Sequence, residues 1–495
     1  MPSHLNLSAR AGWTLLACAV GVAGCASPPR PDGAAAWLDQ ARYSAPSQGA
    51  DAAVTGPSTR QDDAWWREVG GEPLVRLVDL GLHRNHDVAL ALTRVREARA
   101  GGEAQSSALW PTVSAQGARA SERSGLPPPV KQGRPDTRAL QATLNLDWEL
   151  DVFGRARATA RGAQGDVLAS EAGVAGARLM LIGEVTRQHV VYRGVRQRLS
   201  VMANLVATQD GIVRSLQRRL AEGEVSALEV DQAQARWAEL QARQRALTTL
   251  QAVTRARLMT LLDASATEID AVLDDAAAVT WARLPPPVAT GQPVALLARR
   301  PDLIAAQAQW QAEQARRDAA QTDLLPRFFV SLVTGRQDLR LNGMDLAPVG
   351  VHESLLAFSL PLFNAGRVRA GIERQDAVLD RAEWRYAQVV RQAVEEVESA
   401  LVQARQTAAS ARDQAQAAGA LQRAAARGAR LFDEGQMAAA DRLGLEQAQA
   451  AGALAHIDAI EAAWLAHVQL HLALGGGWQN APAHVLEHTS MEHRP

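Results

Sequence analysis

Two proline-free stretches constrain this chain more than anything else in it. No proline occurs between Pro361 and Pro482, and none from about Gly154 to Glu222. Proline is the residue that most reliably stops a helix. The stretch from about 366 to 432 carries Val390, Val394, Val397 and Leu401 at spacings of four, three and four, the register of a seam on one helical face. It then thins to Ala408, Ala411, Ala415 and Ala418; alanine favours helix and lets a neighbouring backbone come close. The stretch from about 154 to 222 sets Val195, Leu199, Met202, Val206, Val213, Leu216 and Leu220 on one three-and-four register, interrupted only by Gln209. A helix of about 65 residues spans roughly 100 Å, about three times the hydrocarbon core of a bilayer. Such a helix cannot be the core of a compact domain; it is a wall or a strut.

The two stretches are copies. Asp151-Val152-Phe153-Gly154-Arg155 leads into the first, and Leu362-Phe363-Asn364-Ala365-Gly366-Arg367 into the second. Leu220-Ala221-Glu222-Gly223 ends one and Phe432-Asp433-Glu434-Gly435 the other, an offset of about 212 residues at both ends. The chain is therefore an internal duplication, with a first repeat over 63–284, a division at Pro285-Pro286-Pro287, and a second repeat over 285–478. Each long helix is followed by a returning one, expected at about 226–263 and 441–474. At 495 residues the chain exceeds a single ordinary core. Its balanced charge, 52 basic against 53 acidic residues, does not suggest a nucleic-acid partner. The two cysteines, Cys18 and Cys25, both precede the folded part, so no disulfide staples it.

Between the helices the period changes to two. Leu140, Ala142, Leu144, Leu146, Trp148 and Leu150 alternate with Gln141, Thr143, Asn145, Asp147, Glu149 and Asp151. That is a strand with one apolar and one polar face, the pattern of a barrel strand between lipid and lumen. Strands are expected at about 111–122, 138–151, 326–335 and 352–363, the last carrying Leu356, Phe358, Leu360 and Leu362, with a loop from about Gly335 to Gly350. Four strands cannot close a membrane barrel, whose smallest form has about eight with a filled interior. Open edges are not tolerated in lipid, so the chain must assemble: two copies would make a plugged barrel, three a water-filled one.

At the N-terminus, Arg10 precedes an apolar run from about Trp13 to Gly24, the length of a signal-peptide core and too short to span a bilayer. The run ends Val22-Ala23-Gly24-Cys25, which resembles the bacterial lipobox. The resemblance implies removal of residues 1–24 and acylation of Cys25, and with Ala26 next, sorting to the outer membrane. Residues 25–62, rich in Pro, Ala, Gly, Ser and Asp, read as a lipidated leash. Residues 479–495 form a tail.

Several local motifs carry a further resemblance. They are Trp65-Trp66, Pro73-Leu74, Leu77, Asn85, Asp87, Ala98-Arg99 and Trp110-Pro111, then Trp148-Glu149 through Phe153-Gly154-Arg155, and above all Leu296-Leu297-Ala298-Arg299-Arg300-Pro301-Asp302-Leu303. From Trp65 to Trp478 the chain resembles outer-membrane efflux factors of the TolC superfamily, in the OprM- and NodT-like lipoprotein branch. The resemblance implies a mainly α protomer with a membrane β-barrel portion, four strands per chain, and a homotrimer whose barrel continues into an α-helical periplasmic tunnel. It also implies that the hairpin tips constrict the tunnel and meet an adaptor. The tip candidates are Glu222, Glu224, Glu229, Asp231, Asp433, Glu434, Asp441, Arg442 and Glu446. Arg442 is expected to pair with Asp441 or Glu446 of a neighbouring chain, or with Glu229 or Asp231 of the other hairpin. Ala440-Asp441-Arg442-Leu443 through Gln447-Ala448-Gln449 matches the family's second tip, yet Gln447 stands where an aspartate is common, Gly444 replaces a larger residue, and alanine-rich sequence between Gly435 and Asp441 looks like an addition.

The function implied is passive: an exit duct for drugs or other small solutes, fed by an inner-membrane pump of the resistance-nodulation-division type through a periplasmic adaptor. No catalytic residue, cofactor or metal site is expected. No phosphate-cradling glycine loop is present, the eleven histidines lack metal-ligand spacing, and His83 and His86 read as solvated helix-end groups. The alternatives are an outlet for type I protein secretion or metal efflux, and a lipid-anchored coiled-coil scaffold without a pore; the strand at 138–151 speaks against the last.

Overall fold

The computed structural model describes residues 64–123, 125, 127, 136–275, 283–288 and 293–478. The expected leader, the leash, Cys25 and the tail lie outside the described residues. The first repeat runs α1 (Trp66–Arg84), α2 (His86–Ser106), β1 (Thr112–Glu122), β2 (Thr137–Leu150), α3 (Arg155–Ala221), α4 (Ala227–Leu262) and α5 (Ala266–Asp275). The second runs α6 (Leu296–Arg299), α7 (Pro301–Gln321), β3 (Arg327–Leu341), β4 (Met344–Asp345), β5 (Val349–Ser359), α8 (Arg367–Asp433) and α9 (Ala439–Leu474). The duplication is exact in length for three helix pairs: α2 and α7 have 21 residues each, α3 and α8 have 67, α4 and α9 have 36.

Each helix begins and ends for a local reason. Asn85 caps α2 by accepting from the Val88 amide at 3.1 Å, and its amide nitrogen donates to the Leu261 carbonyl of α4 at 2.9 Å. The strand-to-helix junction is held by two carboxylates from the end of β2. Asp151 accepts from the Ala156 and Arg157 amides, satisfying first-turn donors that have no helical partner, and Glu149 takes Arg155 in a two-bond fork at 3.1 and 2.9 Å. Both long helices end on glycine: Gly223 at φ +76° and Gly435 at φ +74° adopt the left-handed conformation, and the next amide reaches back to the Arg219 and Leu431 carbonyls respectively.

The strands form one sheet in the order β1-β2-β3-β5, all antiparallel, with β4 extending the β3 hairpin. The join between repeats is the pairing of β2 with β3 over Thr137↔Leu341 to Leu150↔Phe328. Two expectations need correction. The third strand does not stop near Gly335: it continues to Leu341 and turns at Asn342 (φ +49°) and Gly343 (φ +86°), so most of the expected loop is hairpin. Asn-Gly is the residue pair such a tight turn demands. The fourth strand ends at Ser359, and Leu360 and Leu362 lie beyond it, because Pro361 has no amide for a ladder.

Each long helix packs into one of the two larger apolar cores. One gathers Trp65, Leu74, Leu77, Ile182, Leu258, Leu262 and Ile269 with Trp464 and Val468 of α9; the other gathers Leu296, Leu303, Val390, Val397 and Leu401 with Leu470 and Leu474 of the same helix. α9 thus ties the two repeats together. The Leu296–Leu303 motif is structural here: Pro301 opens α7, and buried Arg300 donates to the Ala473 carbonyl at 2.9 Å and pairs with Asp302 and Glu396, both at 2.7 Å.

Candidate functional site

Two regions carry the chemistry of a conduit, the sheet and the hairpin tips. In the sheet, directly opposed residues share a face. Leu146, Leu332 and Val113 stand on one side; on the other, Asp147 accepts from the Ser331 hydroxyl at 2.8 Å. Thr143 and Asn145 on the polar side are buried, whereas Leu140 and Leu144 on the apolar side are 57% and 54% exposed. The sheet curls, and the polar side of β2, where Thr143 and Asn145 are buried, lies on its concave face. Its convex face exposes Leu356, Phe358 and Val113 as well. At the helical end of that face Phe328 lies 6.4 Å from both Phe153 and Phe358, ring centre to ring centre, and Trp110 is exposed. An apolar outer band bordered by aromatic rings is the surface a membrane barrel shows to lipid. The outer edges of β1 and β5 have no partner strand among the described residues.

At the tips, five residues separate α3 from α4 and five separate α8 from α9. The alanine-rich sequence after Gly435 is therefore no enlargement relative to the first tip, and Ala439 and Ala440 already belong to α9. The two tips nonetheless differ. Ser226 and Glu229 form a reciprocal capping box at the start of α4, while Ala438 offers α9 no side-chain cap. Glu229 is thereby engaged locally, and Glu224 pairs with Arg219 at 3.0 Å. Arg442 meets Glu446 of its own helix at 2.9 Å and lies 4.8 Å over the Phe432 ring. Within one protomer, then, the expected pairing of Arg442 with Glu229 or Asp231 across the hairpins is not made, because an i,i+4 partner is closer at hand. Glu222, Asp231, Asp433, Glu434 and Asp441 are exposed and take no ion pair among the described residues.

Sequence reasoning missed the contacts that join the hairpins. Arg198 of α3 reaches Asp458 and Glu461 of α9, both at 2.5 Å. Glu461 sits against Gly194, where a methyl group would collide with its carboxylate. Burial pushes the Glu461 carboxyl up to about 7; the Arg198 charge opposes this and the Asp458 charge adds to it. Lower down, Arg236 of α4 donates to Gln447 of α9 at 3.1 Å. Gln209, the polar residue in the α3 seam, is buried with its amide donated to the Ala233 carbonyl. Among the described residues no cluster of three or more metal-ligating side chains occurs, and no described helix is long and apolar enough to cross a membrane.

Comparison with known proteins decides what this arrangement belongs to. Residues 77–264 and 293–476, about three quarters of the chain and both repeats, match the family described as outer membrane efflux protein. The chain belongs to that family. As a member of it, the chain is an outer-membrane efflux channel protein, with the mainly helical, TolC-like protomer that the sequence pattern anticipates. It is similar to outer membrane protein OprJ of Pseudomonas aeruginosa, 27% identical over 428 residues that cover 84% of this chain and 86% of OprJ. It is also similar to the probable outer membrane lipoprotein SilC of Salmonella typhimurium, 23% identical over 421 residues covering 84% of this chain and 88% of SilC. Among solved structures, the outer-membrane channel OprN superposes with a TM-score of 0.75 at 26% identity, covering 86% of this chain and 94% of OprN.

Proposed function

We propose that three copies of this chain close a twelve-stranded barrel and a helical tunnel, forming the passive outer-membrane exit duct of a tripartite pump for drugs or other small solutes. One observation carries the reading: a curled sheet of four long strands whose outer face exposes Leu140, Leu144, Leu356 and Phe358, whose inner face carries the polar side of β2, and whose two edges are unpaired. Backbone edges left open in hydrocarbon cost several kcal/mol per unsatisfied group, and only a partner's edge strand can satisfy them. Two copies would give eight strands, whose interior side chains fill. Three give a bore. The long-helix seam supports the same assembly, since its burial fades from Val195 and Met202 toward exposed Leu220 near the tip, where neighbouring protomers supply the missing contacts.

The finer parts of the reading belong here as well. Acylation of Cys25 anchors the chain, a reading supported by the lipobox and by similarity to a relative named a lipoprotein. The tips, with their exposed acids and Arg442, form the periplasmic constriction and meet the adaptor that links the duct to an inner-membrane pump of the resistance-nodulation-division type. Energy comes from that pump, and the duct needs no cofactor. Exposed pairs such as Arg442–Glu446 each contribute below about 1 kcal/mol, so only their threefold repetition holds a closure.

The experiment is single-channel recording of the full, lipidated protein in planar bilayers, with heat-resistant trimers checked in detergent. Arg442→Ala is expected to raise conductance or open probability. A monomer without conductance would refute the duct; a conducting trimer whose conductance and voltage response ignore Arg442→Ala would remove Arg442 from the constriction.

A further inference from the structure

The far end of the sheet's convex face carries arginines that conduction does not use. Rows of directly opposed residues climb this face from Leu150, Phe328 and Phe358, at the aromatic border, to Leu140, which is flanked by Arg119 on β1 and Asp338 on β3. The next row sets Arg138 directly opposite Arg340, and one row below Leu140 Arg336 opposes Ala142. Each row is two residues, about 5 Å of height for a strand rising about 3.4 Å per residue at a tilt near 40°. The row of Leu140 thus lies about 25 Å above the aromatic border, the height of a barrel's apolar band. The arginines stand where hydrocarbon gives way to headgroups, on the side of the membrane away from the helices, and Arg336 is long enough to reach that level from below.

Their pairing is incomplete. Arg336 is held by Asp338 at 3.1 Å and Arg340 by Asp345 at 2.9 Å. Arg119 and Arg138 have no ion-pair partner among the described residues. Like charges directly opposite on adjacent strands destabilise a sheet; Asp345 offsets Arg340, which leaves Arg138, facing a cation, without an anion of its own. Leu140 and Leu144 lie exposed on the same face, so the complementary ligand has an acidic head above an apolar body. A guanidinium forms paired, charge-assisted bonds to phosphate in particular. We infer that this margin binds a phosphate-bearing lipid of the outer leaflet, with Arg119 and Arg138 on its phosphate and Leu140 and Leu144 against its chains. The inference rests on the duct reading, which places the convex face in lipid.

The test offers the detergent-purified, full-length protein three probes: bis-phosphorylated lipid A, the same lipid stripped of its phosphates, and inorganic phosphate. Bound lipid is counted by native mass spectrometry. The wild type is expected to retain the phosphorylated form at least about tenfold better, since two charge-assisted contacts supply more than the 1.4 kcal/mol that tenfold requires. Arg119→Gln/Arg138→Gln should fall to the level of the stripped lipid, and Arg119→Lys/Arg138→Lys should keep most of the binding. Equal retention of the two lipids by the wild type overturns the inference without any variant. So does unchanged retention by the glutamine variant, or full displacement by an equal concentration of inorganic phosphate, which would mark a free-anion site. Conductance of the same preparation separates the readings: conducting trimers without lipid selectivity sink the lipid site alone, whereas a wild type that forms no conducting trimer sinks both.

Discussion

Removing Arg198 should destabilise the protein by an amount that grows with pH. The Arg198 and Glu461 side chains are 15% and 13% exposed, so this is a buried bridge between the two hairpins. Breaking such a pair ordinarily costs about 3–5 kcal/mol, because a charge is left buried without compensation. Glu461 has an escape, protonation. Burial already pushes its carboxyl up to about 7, and Arg198 is the influence that pulls it down. Without Arg198 the carboxyl rises further. A carboxyl whose folded pKa lies above its unfolded value of 4.5 favours the fold most below that value, and the stabilisation is lost as pH climbs through the folded pKa. For the wild type the loss is complete near pH 7; for Arg198→Ala it continues above. The gap between the two should therefore widen by about 1.4 kcal/mol for each pH unit above 7, on top of the smaller cost of the lost pair. The assay is thermal loss of helical circular dichroism at one scan rate, run at pH 6, 7 and 8.5 on wild type, Arg198→Ala and Arg198→Ala/Glu461→Gln. The double variant should show no such widening. A gap that is flat with pH, or one that persists in the double variant, would refute the account of a buried, Arg198-restrained carboxylate.

Other expectations follow from the same structure. Burial pushes His189 down to about 3, with the Arg193 charge adding to it, and His467 down to about 4; His471, buried and beside His467, falls to about 3. These rings bind protons more readily unfolded than folded, so melting temperature should fall as pH drops below about 6.5, and His467→Phe should reduce that slope. Asn85→Ala removes a cap and leaves the Leu261 carbonyl without its donor, and should cost about 1–2 kcal/mol in the same melting assay. Arg300→Ala strips a buried cation from Asp302, Glu396 and the Ala473 carbonyl; a loss of about 3 kcal/mol is expected, with trimer yield falling in parallel on gels.

What could be read from the residues was whatever is local and periodic. The long helices announced themselves because proline is absent for so far and glycine stands at each exit, Gly223 and Gly435, where a left-handed turn is needed. β2 was legible because its alternation never slips. The first half of β3 was legible too, but its outer half was not, since Arg336, Asp338 and Arg340 sit on the register of the lipid-facing residues, and charge on that register reads as loop; the Asn342-Gly343 turn was the available signal. The contacts between hairpins were out of reach. Arg198 and Glu461 lie 263 positions apart, and no spacing rule links a basic residue in one repeat to an acidic residue in the other. The same limit applies to Gln447: its departure from the family pattern was visible, but its partner Arg236 was not.

Duplication set equal backbone lengths for the two hairpins, so any functional difference between them must come from side chains. The first tip is closed on itself: Ser226 and Glu229 cap α4, and Glu224 holds Arg219. The second lacks the cap, with Ala438 in the position of Ser226, and its basic residue Arg442 is restrained only by Glu446 and the face of Phe432. A missing side-chain cap leaves a helix start about 1 kcal/mol less stable, and an exposed i,i+4 pair restores only about 0.3–0.5. The second hairpin is thus the one whose end reorganises at lower cost. Above the tips the hairpins are joined by the exposed Arg236–Gln447 hydrogen bond and then by the buried Arg198 bridge, so restraint between them is greater at the bridge than near the tip. In the proposed trimer the tube is stiffer at the Arg198 bridge than at the tips and most adjustable at the second tip, which is where the exposed acids Asp433, Glu434 and Asp441 are gathered.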